Sequence, residues 1–293
     1  STFDSTFTHS RAGNATMVDS DGLIKWAPHN LLTYSEDFDP ATTDWAAARA
    51  TVTQDATGYY LSMDATDAAT HSLTHLLPTQ VLGAQYAFEV EAKYDNAAVQ
   101  FLYVFTRDES NSITQTFFDL LNGTVETDTT SFSSITPLDG GWYRLKVLFN
   151  IPSSDVTTAI VNLYLAEADN VSAIATATEG AGVYIRNARY YRSDLGGMVN
   201  NPDTGTSYVP TTASAVYLPR RNHHTYNGTS WVNSGLLLET EARTNLLQYS
   251  EDFTQWDNAS TSDAADVATS PDGQSTASRL TAVGSGTFRY IKE

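Results

Sequence analysis

Cysteine is missing from all 293 residues, which excludes disulfides, thiolate metal sites and a thiol nucleophile. Basic residues are scarce: 16 Lys and Arg stand against 34 Asp and Glu, a net charge of −18. Such a chain offers no broad basic surface to nucleic acid or to an anionic membrane, and neither is expected as a partner. Its acids are scattered rather than blocked, as on a solvated surface. No apolar run approaches the roughly 18 residues of a membrane-spanning helix, so no membrane insertion is expected. The opening "STFDSTFTHSRAG" lacks the basic start and apolar stretch of a secretion signal. The expectation is a chain that is not exported by that route, or one whose signal has been removed. GxSxG, Walker, HExxH and GxGxxG elements are absent as well, and no enzymatic activity is expected.

Apolar residues at helical spacing are also hard to find; "DWAAARA" (44–50) is too short and too weakly patterned. What is present alternates. "YAFEVEAKY" (86–94), "VQFLYVFT" (99–106), "WYRLKVLFNI" (142–151), "IVNLYLAEA" (160–168) and "GVYIRNARYY" (182–191) read as strands of ordinary length. "TQTFFDLLNGTVET" (114–127) reads as a hairpin, with Asn122-Gly123 supplying the positive φ angles of a tight turn. Many short strands between Gly, Asn, Asp and Pro indicate an all-β sandwich or barrel.

One nonapeptide is written twice. "NLLTYSEDF" occupies Asn30–Phe38 and "NLLQYSEDF" occupies Asn245–Phe253, differing at one position. Upstream of each lies a second echo, "FTHSRAGNATMVDSDGLIKWAPHN" (7–30) and "YLPRRNHHTYNGTSWVNSGLLLETEARTN" (217–245), each reading as a strand–turn–strand lead-in. Internal repetition of this kind marks a module used more than once. The nonapeptide is then expected to be the module's first strand. Residues 195–213 turn rich in Gly, Asn, Thr and Pro, the composition of a boundary. The organisation that follows is a lead-in segment at 1–29, a β-sandwich at 30–194, a linker with a hairpin lead-in at 195–243, and the start of a second, incomplete module at 244–293.

Several polar groups invite a site. Glu36 and Asp37 recur as Glu251 and Asp252, but neighbours on one strand face opposite ways and cannot flank one glycosidic bond. Hydrogen bonding to a turn is the expectation for them. His71 and His75 share one face of a strand but lie too far apart to hold one ion, and His223-His224 lacks a ligand complement at a recognisable spacing. These histidines read as surface polar residues.

With these residues in place, "NLLxYSEDF", followed by Trp45 and Trp256, resembles the opening of modules in bacteriophage fibre and other virion proteins, themselves similar to the jelly-roll carbohydrate-binding modules of xylanases. "FFDLLNGTV" (117–125), "GGWYRLKVLF" (140–149), "GVYIRNARYYRS" (182–193), "SYVPTTASAV" (207–216) and "SPDGQSTASRL" (270–280) match in the same order. The resemblance implies jelly-roll β-sandwich modules in tandem, joined by small hairpin linkers. It implies a structural phage virion protein, a tail, neck or head fibre or spike on the particle surface, used in host attachment. The alternative is a glycan-binding module of a secreted bacterial glycoside hydrolase.

The same resemblance assigns roles. Tyr59, Tyr60, Tyr94, Tyr103 and Tyr143 become candidates for stacking on sugar rings of a host-surface glycan, while Trp45 and Trp142 are expected in the core. Glycan binding is expected to depend on aromatics rather than charge. A structural Ca²⁺ near the module termini is the one cofactor left open. Fibres of this kind are commonly trimers, so the partners expected are sister chains and other virion proteins. The apolar residues of 1–29, Phe3, Phe7 and Trp26 among them, are expected to anchor the chain to the virion.

Overall fold

A computed structural model describes residues 9–108, 112–130, 132–151, 158–238, 253–270, 275–284 and 289–292. The strands run in chain order as β1 (Thr16–Val18), β2 (Ile24–Trp26), β3 (His29–Asn30), β4 (Ala46–Ala48), β5 (Ala50–Gln54) and β6 (Tyr59–Met63). They continue as β7 (His71–Leu76), β8 (Gln85–Lys93), β9 (Phe101–Arg107), β10 (Ile113–Asp119), β11 (Thr124–Asp128) and β12 (Phe132–Pro137). Then follow β13 (Trp142–Asn150), β14 (Ile160–Ala166), β15 (Gly182–Arg192), β16 (Val216–Tyr217), β17 (His223–Tyr226) and β18 (Trp231–Gly235). All five strands expected from alternation are present, and 44–50 contributes β4 and β5.

Two six-stranded antiparallel sheets form the body. The first has the order β11-β10-β9-β14-β7-β4, the second β12-β13-β8-β15-β6-β5. The chain crosses between sheets as it goes from β6 to β7, β8 and β9, so sequence neighbours face one another across the core. The architecture is a jelly-roll β-sandwich. Alternation supplies the core: Tyr86, Phe88 and Val90 of β8, Leu145 and Val147 of β13, and Leu102, Val104, Leu163 and Leu165 from the first sheet are all buried in it. Gly182 is required where β15 meets β6, because a Cβ there would lie 1.9 Å from the Leu61 carbonyl oxygen.

The predicted hairpin forms, but its turn differs. Asp119 pairs with Thr124, so residues 120–123 form a four-residue loop, and only Gly123 takes a positive φ (70°). Asp119 shapes it: Oδ1 accepts from the Leu121 and Asn122 amides, and Oδ2 from the side-chain amides of Asn122 and Gln100.

The nonapeptide is not a strand. Only Asn30 belongs to β3; residues 31–38 form an irregular plug, with Leu32 and Phe38 fully buried and the Phe38 ring 5.0 Å from that of Trp45. Asn30 donates to the carbonyls of Ala188 and Val209 and accepts from the amides of Leu32 and Tyr190. The Ser35 hydroxyl accepts from the Thr211 amide and Tyr208 hydroxyl. Almost every residue has its own tertiary partner, which a generic alternating strand would not require. That accounts for a sequence repeated letter by letter. Asp37 accepts from the Asp39 amide and the Tyr59 hydroxyl, the turn bonding expected for it. Of the second nonapeptide, only Phe253 lies within the described residues.

His71 and His75 are not surface residues. They alternate inward with Leu73 and are almost completely buried. His71 is held by the carbonyls of Arg49 and Thr66, and His75 lies edge-on to Trp45 at 4.7 Å between Thr33 and the Leu76 carbonyl. Their polarity is absorbed by backbone acceptors, which composition does not show.

The lead-in and the linker close on each other. β1 and β2 form one hairpin, β17 and β18 another, and β3 pairs with β16. Each hairpin turn is capped by the side chain of its first residue: Asp19 accepts from the Asp21 and Leu23 amides in the longer loop, and Asn227 from the Thr229 and Ser230 amides in the shorter. Gly22 (φ 82°) lies directly beneath the Trp231 indole, leaving no room for a Cβ. His29 sits at the centre, fully buried. Its Nδ1 donates to the Ala27 carbonyl and its Nε2 accepts from the Arg192 amide. Burial lowers its pKa to about 4. Further along, β19 (Asp257–Ala259) pairs with β22 (Tyr290–Lys292), and β20 (Thr261–Ala268) with β21 (Ala277–Ala282).

Candidate functional site

Strand alternation aims a second set of side chains away from the core, and the outer face of the second sheet carries chemistry. Register orders these residues into rows across the strands. One row runs Tyr60, Tyr184, Lys93, Trp142; the next runs Arg186, Glu91, Arg144, Thr136; the third runs Arg189, Glu89, Lys146, Ser134. A bulge at Asn187 (φ 53°) shifts β15 between Arg186 and Arg189 so that both face outward beside a glutamate.

The first row is aromatic. The Tyr60 and Tyr184 rings lie 4.7 Å apart, tilted by 57°, and both are half-exposed. Their hydroxyls donate to Asp95 and Asp55, and the Asn96 amide donates to Tyr60. Burial, and then the bond to Asp95, push the Tyr60 hydroxyl up to about 12. Trp142 is buried, yet on this outer face and not in the core, because the Arg186 guanidinium covers it at 4.0 Å. Trp45 does fill the core.

The next two rows alternate in sign. Glu91 accepts from Arg186 Nε at 2.8 Å, Arg144 Nη2 at 3.2 Å and Asn187 Nδ2 at 3.0 Å. Glu89 is 3% exposed and accepts from Arg189 and from the Tyr191 hydroxyl, with Lys146 Nζ at 3.7 Å. Burial, and then the Glu89 charge, raise the Tyr191 pKa, which keeps its proton on the shared bond. Below the third row, Ser193, Gly196, Gly197, Met198 and Ser207 roof a cleft of about 490 Å³, walled by Glu89, Arg144, Lys146, Arg189 and Tyr191.

The five tyrosines expected to bind glycan do not converge. Tyr60 is on this strip. Tyr59 is buried in the core, its hydroxyl on Asp37; Tyr94 and Tyr143 pack against the core from its margin. Tyr103 lies on the opposite outer face, between Phe117 at 4.3 Å and Tyr164 at 5.1 Å, with both ring faces occupied. Trp26 is held by its own chain: its Nε1 donates to Asp194, its ring lies 4.7 Å from the Arg192 guanidinium, and its backbone bonds Gly197 and Val199. Phe3 and Phe7 lie outside the described residues, as do Glu251 and Asp252. Among the described residues no three His, Asp or Glu side chains form a metal-binding group. Sequence reasoning missed Tyr184 and the six ions; the signal was Glu89/Glu91 and Arg144/Lys146 recurring at spacing two in otherwise apolar strands.

No protein-family model and no curated protein matches the chain in sequence. Solved structures resemble parts of it. The enzymatically active domain of bacteriophage CBA120 tailspike protein 4 is 14% identical with a TM-score of 0.35, over 56% of this chain and 21% of that one. TmCBM61, in complex with beta-1,4-galactotriose, is 12% identical with a TM-score of 0.32, over 56% and 98%. The CBM22-1–GH10 modules of Clostridium thermocellum endo-1,4-beta-D-xylanase 10B, complexed with xylohexaose, are 10% identical with a TM-score of 0.33, over 61% and 29%. The chain thus spans about a fifth of the tailspike domain.

Proposed function

We propose that the chain is a non-enzymatic structural component of a bacteriophage virion, a fibre or spike of repeated β-sandwich modules used in host attachment. The observation that supports this reading is the joint. Two lead-in hairpins, each with a side-chain-capped turn, stand side by side against the sandwich, and the plug sequence begins again after the second. A series of modules on a common stem is the arrangement such a joint serves. The half-exposed Tyr60 and Tyr184 rings, ringed by Asp55, Asp95 and Asn96, are the glycan contact: aromatic faces for the sugar C–H groups and acceptors for its hydroxyls. Sister chains associate through the N-terminal segment, where Phe3 and Phe7 are the anchoring residues left once Trp26 is spent within the chain.

The glycan contact also fits a module of a secreted glycoside hydrolase, and one experiment separates the two. Immunogold labelling of purified particles, with antibody against the sandwich, is expected on a projecting appendage. Antigen confined to the culture supernatant overturns the virion reading in favour of the secreted enzyme.

A further inference from the structure

The cleft below the tyrosine row has a charge opposite to that of the molecule. Arg144, Lys146, Arg186 and Arg189 stand against Glu89 and Glu91, an excess of two positive charges in a chain of net −18. The four cations are not equally engaged. Arg189 is saturated on Glu89 and Ser207, and Arg186 is committed to Glu91 and the Trp142 ring. Among the described residues Arg144 makes one hydrogen bond, through Nη2, and its Nε stops 4.0 Å from Glu89. Lys146 makes none among the described residues; its ammonium is 3.7 Å from Glu89 and 5.9 Å from the centre of the Tyr191 ring. Both side chains are about a third exposed, and both line the cleft with the hydroxyl residues Ser134, Thr136 and Ser207 and with the nearly buried Glu89.

We propose that this cleft binds the carboxylate of an acidic oligosaccharide, held between Arg144 and Lys146. The two residues are two apart on β13, on one face, so a single carboxylate can accept from both. The cleft's volume of about 490 Å³ is that of a small-ligand site. The acidity of the rest of the molecule does not forbid this. Beyond a Debye length of about 8 Å at physiological salt those charges are screened, and the groups lining the cleft decide. An aromatic contact for the sugar ring and a cationic contact for its carboxylate then lie on one strip, rows apart. The expectation that glycan binding avoids charge is replaced by a local rule. This proposal rests on the glycan-contact reading above and adds the class of glycan.

Titration calorimetry of the whole chain with trigalacturonate, a panel of neutral oligosaccharides and sodium sulfate tests it. Trigalacturonate is expected to bind at low salt, more weakly as salt rises. Affinity should fall about tenfold in Arg144→Met and in Lys146→Met, and be retained in Lys146→Arg. Unchanged thermal midpoints show the variants folded; should Arg144→Met melt early, Lys146→Met and Lys146→Arg alone decide. Neutral oligosaccharides binding while trigalacturonate does not overturns the cleft and leaves the glycan reading standing. Trigalacturonate binding that ignores both substitutions also overturns the cleft. Sulfate saturating the site as well as the oligosaccharide reduces it to a simple anion site and overturns the proposal. No oligosaccharide binding of any kind removes both readings.

Discussion

The two outer faces of the sandwich meet the same problem in opposite ways. On the first sheet, Phe101, Tyr103, Phe117 and Ala166 form a small core of their own, with Phe105 and Tyr164 packed on it. The turn after β14 reaches across the ends of β9 and β10, where Asp169 takes the Thr127 amide and hydroxyl and closes the far edge. On the second sheet the same kind of surface is filled with alternating ions and stays open to a cleft. An apolar face stabilises by excluding water and then has nothing to offer a ligand. An ionic face gains little net stability, since desolvation offsets much of the attraction, but it keeps donors available. The aromatic-rich face serves stability, and the charged face is the one we propose for recognition.

Breaking the apolar side should cost most. Phe117→Ala empties the space beside Tyr103 and should lower unfolding free energy by about 4 kcal/mol in urea titration, without altering oligosaccharide affinity. On the ionic side, Glu89→Ala strands a buried Arg189 and should cost about 3 kcal/mol. Glu89→Leu combined with Arg189→Met should recover most of that loss, a recovery that no variant of the apolar face would show.

Acid acts on the joint through one buried imidazole. His29 has its pKa lowered to about 4 from 6.5, so protonation favours the unfolded chain. Its contribution is complete above pH 6.5, declines as pH falls below that value, and is exhausted near pH 4. The total is up to about 3 kcal/mol, at 1.36 kcal/mol per pH unit. His29→Gln should flatten that part of the pH–stability curve, read by chemical denaturation at each pH. The tyrosine pair belongs to the recognition side: Tyr60→Ala or Tyr184→Ala should weaken any bound oligosaccharide by about 1 kcal/mol in calorimetry. Smallest of all, Tyr103→Phe should change stability by less than about 0.5 kcal/mol. The Tyr103 hydroxyl makes no hydrogen bond among the described residues, and its ring stack remains.

Strands were legible because alternation is a local signal: β8, β13 and β15 are where Tyr86–Val90, Leu145–Val147 and Val183–Ile185 demand them. The hairpins that flank the module were legible from the strand–turn–strand echo upstream of each copy of the nonapeptide. The plug was not. "NLLTYSEDF" alternates well enough to pass for a strand, and only its bonds to residues 188–212, far along the chain, show that it is irregular. Trp142 was misplaced for a related reason. A buried tryptophan on a strand reads as core, and the guanidinium that buries it from outside comes from β15. The ionic rows needed register between strands that are distant in sequence, which composition does not carry.

The β3–β16 pair has a mechanical consequence. His29 lies opposite Tyr217 and Asn30 opposite Val216, so the chain arrives and leaves at the same end of this short ladder. Ahead of it, Val18 bonds His223 and Arg220 bonds the Thr16 carbonyl, bracing the arriving segment against the departing one. Tension between the two ends therefore runs through the stem and passes the sandwich by. Under rising load the stem opens first, like a zipper drawn from the His29–Tyr217 end, while the sandwich keeps its shape and its exposed strip.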